Sequence, residues 1–361
     1  MSKTEIMALV LSLLLSLALL PMVIKLSKHF GWLDRPGRHK QHAQPTPYLG
    51  GAVLFVSTWL TIAVLYLFDH SLFDDLTGLA VVFGGAAVIF VLGLIDDIHP
   101  LSAWVKLLVQ IGIGLLLFWG GVGIDLLSTP GGSIELGSWS AVLTIVWVVG
   151  LTNAVNLIDG LDGLAGGVSL IAAVTMAVIA RFFAAGWELL LIVALLGFLV
   201  PFLFFNRYPA RIFLGDSGSM QIGYYFAVFS LMLRVKSFTL SALFVPLLTL
   251  GVPLTEAISS TIRRLVTGKS VMQADRRHLF HYLGLLGLGP RRTVAVFYGL
   301  GVVFGLFAVA MYLWDRVLVL SLLVVFMVVI FAVFFILVTG LSRRFRSDPA
   351  ELRKRVGKNR R

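Results

Sequence analysis

The feature that most constrains this chain is a succession of apolar runs that extends from Ile6 to Leu337. A membrane-spanning α-helix needs about 20 predominantly apolar residues, and short polar or Gly/Pro-rich breaks separate runs of this length. With 58% hydrophobic and only 13% charged residues, the chain lacks the charge content of an ordinary soluble protein. We therefore predict an all-α polytopic membrane protein.

Hydropathy predicts eleven spans, over residues 6–26, 49–68, 77–95, 103–120, 139–155, 165–183, 187–205, 219–234, 238–262, 292–313 and 316–339. The loops at one membrane face, together with the tail, contain 24 of the 29 Lys and Arg residues, so the positive-inside rule makes this face cytoplasmic. An odd number of spans then places the N-terminus in the periplasm and the C-terminus in the cytoplasm. We expect one membrane domain over residues 1–341 and a basic tail over 342–361.

Composition also excludes several classes of site. The chain has no cysteine, which rules out disulfides, thiolate metal sites and cysteine nucleophiles. A formal charge of +11 would suit nucleic acid, but the cations flank apolar spans instead of forming a base-reading surface. Topology explains the charge, and no nucleic-acid partner is expected.

The longest loop at the predicted periplasmic face is Gly121–Ser138. Pro130, Gly131 and Gly132 separate two alternating segments within it, which predicts a small β-hairpin.

Nearly every polar cluster that hydropathy does not explain lies on the predicted cytoplasmic face. Asp96 and Asp97 end the third span, where adjacent carboxylates repel each other unless a Lys or a Mg²⁺ ion intervenes. The alternative is a solvated interfacial loop.

A second cluster follows the fifth span. Asn153, Asn156, Asp159 and Asp162 recur at a spacing of three residues between apolar spans, where polar groups are costly and normally functional. The alternative, a helix start capped by Asp162, explains one residue of the four.

A third cluster, Asn206–Ser219, opens the eighth span. The planar guanidinium groups of Arg207 and Arg211 suit phosphate oxygens, and the uncrowded Asp216 carboxylate suits a hard cation. An ion pair between Arg211 and Asp216 is the alternative.

The fourth cluster follows the ninth span and contains Arg276, Arg277, His278 and His281. Two histidines without a third ligand are a weak zinc signal, and the surrounding positive charge favours anion binding. Aspartates from three loops, with Arg and His beside them at one face, describe a site for a Mg²⁺-bound polyanion and a lipid partner, as phosphoryl transfer requires.

The sequence resembles the polyprenyl-phosphate N-acetylhexosamine-1-phosphate transferases, glycosyltransferase family 4, over nearly its whole length. Five motifs in the family's order carry the resemblance: Pro47–Gly51, Asp96–Asp97, Asn153–Ala165, Phe213–Ser219 and Ala274–His281. The basic run Arg38–His42 and the run Asp275–Leu279 resemble the GlcNAc-phosphate branch.

This resemblance implies a bacterial inner-membrane enzyme, with its active site facing the cytoplasm, that transfers GlcNAc-1-phosphate from UDP-GlcNAc to undecaprenyl phosphate and releases UMP. It implies Mg²⁺, or Mn²⁺ in its place, as the cofactor. The expected partners are a UDP-N-acetylhexosamine, undecaprenyl phosphate, membrane lipids and a second copy of the chain in a homodimer. The product would start a lipid-linked cell-envelope glycan, namely O-antigen, common antigen or a teichoic-acid linkage.

The resemblance also assigns roles by position. The implied catalytic residues are Asp96, Asp97, Asp159 and Asp216, of which Asp216 and Asp97 are the metal ligands. The implied substrate-binding residues are Asn153, Asn156, Asp162, Asn206, Arg207, Arg211, Phe213, Arg276, Arg277, His278, His281 and His42.

Two alternatives stay open. One is the phospho-MurNAc-pentapeptide transferase branch of the same family. The other, from a different class, is a secondary transporter, although transporters place coupling acids near the bilayer midplane and show internal repeats, which this sequence lacks.

Overall fold

The computed structural model describes residues 1–34, 44–129, 132–181, 186–232, 251, 253–254, 283, 287–314 and 318–329. These residues are mostly α-helical. The helices are α1 (Lys3–Phe30), α2 (Gly50–Phe68), α3 (Leu76–Ile98), α4 (Ala103–Trp119), α5 (Trp139–Ile158), α6 (Leu164–Ala180), α7 (Trp187–Asn206), α8 (Gly215–Met232), α9 (Pro290–Leu313) and α10 (Leu318–Val329). Two antiparallel strand pairs accompany them: β1 (Leu33–Asp34) with β2 (Thr46–Pro47), and β3 (Leu126–Thr129) with β4 (Gly132–Glu135).

The helices follow the predicted spans closely. The first eight predicted spans coincide with α1 to α8, and the tenth coincides with α9. Among the described helices, α1, α2, α3, α5, α7 and α9 are long and apolar enough to cross a membrane, and α4, α6 and α10 are shorter apolar helices. The ninth predicted span lies almost wholly outside the described residues, so the number eleven stays a prediction. The all-α class and the hairpin at β3 and β4 are confirmed.

Helix α8 lies at the centre of the bundle. It packs against α2, α3 and α5, and its residues from 217 to 229 are all buried. A helix that is buried on every side needs internal partners for its polar groups. The Tyr224 hydroxyl donates to the Val82 carbonyl at 2.9 Å, and the Tyr225 hydroxyl accepts from Trp59 Nε1 at 2.9 Å.

The outer helices show a different pattern. Along α1, Ile6, Val10 and Leu14 are exposed apolar residues, whereas Ser12 faces inward and donates to the Ala194 carbonyl of α7 at 2.6 Å. Small residues at such interfaces let helix backbones approach closely. The exposed apolar side chains provide the surface that a bilayer would cover.

The two ends of the bundle differ in polarity. At one end Glu5 of α1 pairs with Arg181, which directly follows α6. At the other end, α1 leads into β1. The start of α6 lies there beside the polar loop that follows α7, as shown by the hydrogen bond from the Gly163 N–H to Asn206 Oδ1 at 2.9 Å. The first three polar clusters singled out in the sequence collect at this second end.

Close backbone contact joins α3 to the start of α8. A β-carbon added at Gly93 would lie 2.3 Å from Ser217 Cα, a distance that no side chain tolerates. By contrast, a β-carbon at Gly84, on the same helix, would meet only Leu116 Cδ2 at 3.9 Å.

We therefore expect Gly93→Ala to lower thermal stability, because α3 and α8 would have to separate at the cost of about 1–3 kcal/mol. Gly84→Ala, which removes a helix glycine where there is space, should be neutral or stabilising by up to about 1 kcal/mol. Thermal unfolding of both variants in the same detergent tests this. Equal melting temperatures for the two variants would contradict the close contact.

Candidate functional site

The site is organised around the first turn of α8. Asp97, at the end of α3, accepts from the backbone N–H of Asp216 at 2.7 Å and of Ser217 at 3.1 Å. These amides have no partner within the helix, and a carboxylate is favoured at a helix N-terminus. Asp97 therefore fastens α3 to the start of α8 and sets the position of Asp216.

The loops flanking this turn are joined by main-chain hydrogen bonds. The Phe213 N–H donates to the Pro47 carbonyl at 2.7 Å, and the N–H groups of Gly50 and Gly51 donate to the carbonyls of Phe213 and Leu214 at 3.0 and 2.9 Å. Gly215 has a φ of 74°, in the left-handed region that favours glycine. Two of the sequence motifs thus form one unit beneath α8.

Asp96 faces a different partner from Asp97. Its Oδ2 accepts from Lys106 Nζ of α4 at 2.6 Å, and its Oδ1 accepts from the Leu101 N–H at 2.6 Å. Lys106 Nζ also lies 3.8 Å from Asp216 Oδ2. The lysine is the cation that the adjacent carboxylates were predicted to require.

Asn156 and Asp159 complete the cluster from α5. Asn156 Nδ2 donates to Asp216 Oδ1 at 2.7 Å and to Ser219 Oγ at 3.0 Å. Asp159 directly follows α5, outside the membrane-spanning segment. Burial raises the pKa of Asp159 to about 8, and the negative charges of Asp216, Asp97 and Asp162 act in the same direction.

Asp162 and Asn206 stabilise the loop that follows α7. Asp162 Oδ2 accepts from the Ala210 N–H at 2.9 Å. Asn206, only 4% exposed, accepts from the Gly163 N–H and donates to the Ile212 carbonyl at 2.8 Å. These contacts shape the rim of the site, so the loop conformation depends on both predicted residues.

Asn153 lies one turn deeper than Asn156. Its Nδ2 donates to Gln110 Oε1 at 2.6 Å and to the Val149 carbonyl at 2.8 Å. Gln110 in turn contacts Met220 Sδ at 3.7 Å. This buried chain of polar groups joins α4, α5 and α8, which is the environment of a packing residue.

The two arginines lie on the outer side of the loop. Arg207 stacks over the Phe204 ring at 4.8 Å, and Arg211 lies 4.6 Å from the centre of the Phe205 ring. Among the described residues, the ion-pair partner of Asp216 is Lys106 and not Arg211. The alternative of an Arg211–Asp216 pair is therefore wrong.

Several predicted residues lie outside the described part of the chain: His42, Arg276, Arg277, His278 and His281. Their predicted roles in phosphate binding stay predictions.

The contact of Lys106 with the acid cluster is not predicted from the sequence, where Lys106 contributes only to the topology. A signal was present. Lys106 is a lone ionisable residue inside a predicted apolar span, one turn before Gln110, and such residues usually have a partner within the bundle.

The raised pKa of Asp159 predicts a pH-dependent stability. An unfolded aspartate titrates near about 3.9, so between pH 4 and 8 the native state holds a proton that the unfolded state has lost. Stability therefore falls as pH rises through this window. Asp159→Asn should raise the melting temperature of metal-free protein at pH 8, on the order of 2 °C, and by less at pH 5.

Thermal unfolding of both proteins in a chelator-containing detergent buffer at the two pH values tests this effect. A variant that is less stable than wild type at pH 8 would show that Asp159 is not held among like charges.

Comparisons with known proteins identify the family of this chain. The model of a family described as glycosyl transferase family 4 matches residues 79–234, which contain most of the residues described above. The chain is 34% identical, over 98% of its own length and 98% of the relative's, to the "Probable undecaprenyl-phosphate N-acetylglucosaminyl 1-phosphate transferase" of Bacillus subtilis (strain 168).

Two further relatives are more distant. The phospho-N-acetylmuramoyl-pentapeptide-transferase of Staphylococcus saprophyticus is 30% identical over 82% of this chain and 96% of its own length. The decaprenyl-phosphate N-acetylglucosaminephosphotransferase of Mycolicibacterium smegmatis is 30% identical over 76% of this chain and 73% of its own length. The acid cluster at the start of α8, the family match and the full-length similarity together establish that this chain belongs to glycosyl transferase family 4.

Proposed function

We propose that this protein is a Mg²⁺-dependent phosphotransferase that moves GlcNAc-1-phosphate from UDP-GlcNAc to undecaprenyl phosphate and releases UMP. In this reaction an oxygen of the lipid phosphate bonds to the sugar-bearing phosphorus, and the bond from that phosphorus to the UMP oxygen breaks. The observation that carries the proposal is the similarity to the Bacillus subtilis protein over 98% of both chains. The grouping of acids from α3, α5 and α8 around one turn supports it.

The carboxylates of the site suit Mg²⁺. Among the described residues, no three acidic or histidine side chains form a closed metal cage. Mg²⁺ is commonly bound by one or two carboxylates together with substrate phosphates and water. The Asp216 side chain is 37% exposed, and Asp159 is half-buried nearby. We assign these two carboxylates to the metal, which when bound would neutralise charge on the diphosphate.

The remaining residues position these two. Asn156 orients the Asp216 carboxylate by donating to its Oδ1. Lys106 holds Asp96 and places positive charge beside Asp216 Oδ2. Asp97, which the resemblance implied as the second metal ligand, has both oxygens bonded to main-chain N–H groups of α8, so Asp159 takes that role in this proposal. Preorganised charges of this kind act without reorganising during phosphoryl transfer.

The topology belongs to the same proposal. We infer eleven spans, with a periplasmic N-terminus and a site that faces the cytoplasm of the bacterial inner membrane. Among the described residues, Lys25, Lys28, Lys106, Arg207 and Arg211 lie at the site's end of the bundle, and this positive charge supports the orientation. The homodimer stays a prediction.

The pentapeptide-transferase branch is the second candidate, because the Staphylococcus saprophyticus relative of that name covers 82% of this chain. It has lower identity and lower coverage than the Bacillus subtilis protein, which favours GlcNAc-1-phosphate transfer. The secondary transporter is disfavoured, because the three relatives named above are all transferases by name.

The test of the function is UMP release by purified protein given undecaprenyl phosphate, Mg²⁺ and one donor at a time. We expect release with UDP-GlcNAc. Release with UDP-MurNAc-pentapeptide alone would assign the other branch, and no release with any nucleotide sugar would overturn the proposal. Omission of the lipid phosphate and addition of chelator are the controls.

Asp216→Asn should reduce kcat by at least about 100-fold, because it removes a negatively charged ligand of the assigned metal while keeping the shape of the side chain. Asp125→Asn is the matched control, since Asp125 lies at the opposite end of the bundle, bonded to Ser140 Oγ at 3.0 Å. Near-normal turnover of Asp216→Asn would contradict the metal assignment.

A second pair of variants separates chemistry from packing. Asn156→Ala removes a hydrogen bond to the Asp216 carboxylate, so we expect kcat to fall about 10- to 100-fold. Asn153→Ala breaks the contact with Gln110 inside the bundle and should lower the melting temperature more than it lowers kcat. Steady-state kinetics and thermal unfolding of both variants measure the difference. The reverse pattern would place Asn153, not Asn156, at the substrate.

A further inference from the structure

A cationic groove lies at the end of the bundle that contains the acid cluster, and none of the residues assigned above to the metal or to its positioning lines it. It runs between the C-terminal parts of α1 and α7 and has a volume of about 410 Å³, within the size range of small-molecule sites. Its lining residues are Pro21, Ile24, Lys25, Lys28, Phe205 and Arg211.

One face of α1 supplies most of the groove. Pro21, Ile24, Lys25 and Lys28 recur at intervals of three or four residues, so their side chains point in the same direction. The two apolar residues come first along the helix, and the lysines follow in its last two turns. The groove therefore changes from apolar to cationic towards the end of the bundle that contains the site.

Arg211 is held in place on the opposite wall. Its backbone N–H donates to the Phe205 carbonyl at 2.8 Å, and its guanidinium donates to the Phe204 carbonyl at 3.5 Å. The guanidinium also lies 4.6 and 5.2 Å from the centres of the Phe205 and Phe204 rings. A side chain ordered in this way loses less conformational entropy when it binds an anion.

The positive charge of the groove is not neutralised within the described part of the chain. No acidic residue lines the groove, and Asp96, Asp162 and Asp216 of the acid cluster bond to Lys106, Ala210 and Asn156. No carboxylate of the described residues forms an ion pair with Lys25, Lys28 or Arg211. Three cations beside a hydrophobic wall fit a ligand that joins a phosphate to a hydrocarbon chain.

We propose that this groove binds an anionic glycerophospholipid, with its headgroup phosphate on Lys25, Lys28 and Arg211 and an acyl chain along Pro21, Ile24 and Phe205. Helix α1 is long and apolar enough to cross the bilayer, and its lysines lie where a headgroup would be. The site is separate from the acid cluster, so the proposal does not depend on the assigned reaction.

The experiment is native mass spectrometry of the whole protein released from nanodiscs that contain phosphatidylglycerol and phosphatidylcholine. We expect wild type to retain phosphatidylglycerol selectively. In the double variant Lys25→Gln/Lys28→Gln, the preference for phosphatidylglycerol over phosphatidylcholine should fall about 30-fold, which corresponds to about 1 kcal/mol per lysine. Lys3→Gln is the matched control, because Lys3 is an exposed lysine at the other end of the same helix.

Further arms separate the sources of the anion. Inorganic phosphate and undecaprenyl phosphate are added as competitors of the retained lipid. If either displaces the lipid as effectively as added phosphatidylglycerol, the assignment is overturned. Equal retention of the two phospholipids by wild type, or unchanged selectivity in the double variant, would also overturn it. Lys25→Arg/Lys28→Arg keeps the charge and should retain the lipid, and binding to wild type should weaken with salt.

Discussion

The arrangement of this site depends on the Asp97 carboxylate, which accepts two N–H groups from the first turn of α8. Those amides would otherwise be left without partners beside apolar spans, where an unsatisfied polar group is costly. The same interaction brings the end of α3 against the start of α8, and Gly93 allows the backbones to touch. Asp216 is consequently presented at the rim of the bundle from a helix that is otherwise buried.

Around that anchor the charges are distributed unevenly. Asp96 has Lys106 as its partner, whereas Asp159 has like charges as neighbours and its pKa is raised to about 8. This arrangement is unfavourable until a cation binds, and clusters of like charges with raised pKa values are common at functional sites. The rest of the bundle must offset this unfavourable energy. Its central helix α8 is held to its neighbours by hydrogen bonds of Tyr224, Tyr225 and Gln221.

The cations at this end of the protein form two separate groups. Lys106 lies inside the acid cluster, and Arg211 lies outside it with Lys25 and Lys28. Sequence spacing placed Arg211 and Asp216 in one loop and favoured a shared phosphate site. In the tertiary structure the Arg211 guanidinium stacks on the rings of Phe204 and Phe205, and Asp216 has Lys106 as its ion-pair partner.

The sequence by itself determined the membrane class, the positions of the first eight helices and the end of the bundle at which the described acids and amides of the site gather. These properties follow from local hydropathy and from charge, which act over a few residues. Only the tertiary structure decided the partner of each polar side chain: Lys106 for Asp96, Gln110 for Asn153, and the Gly163 and Ile212 main chain for Asn206. These pairings join residues that are between 6 and 43 positions apart in the chain. Their geometry depends on how the helices and loops pack, which no local pattern encodes.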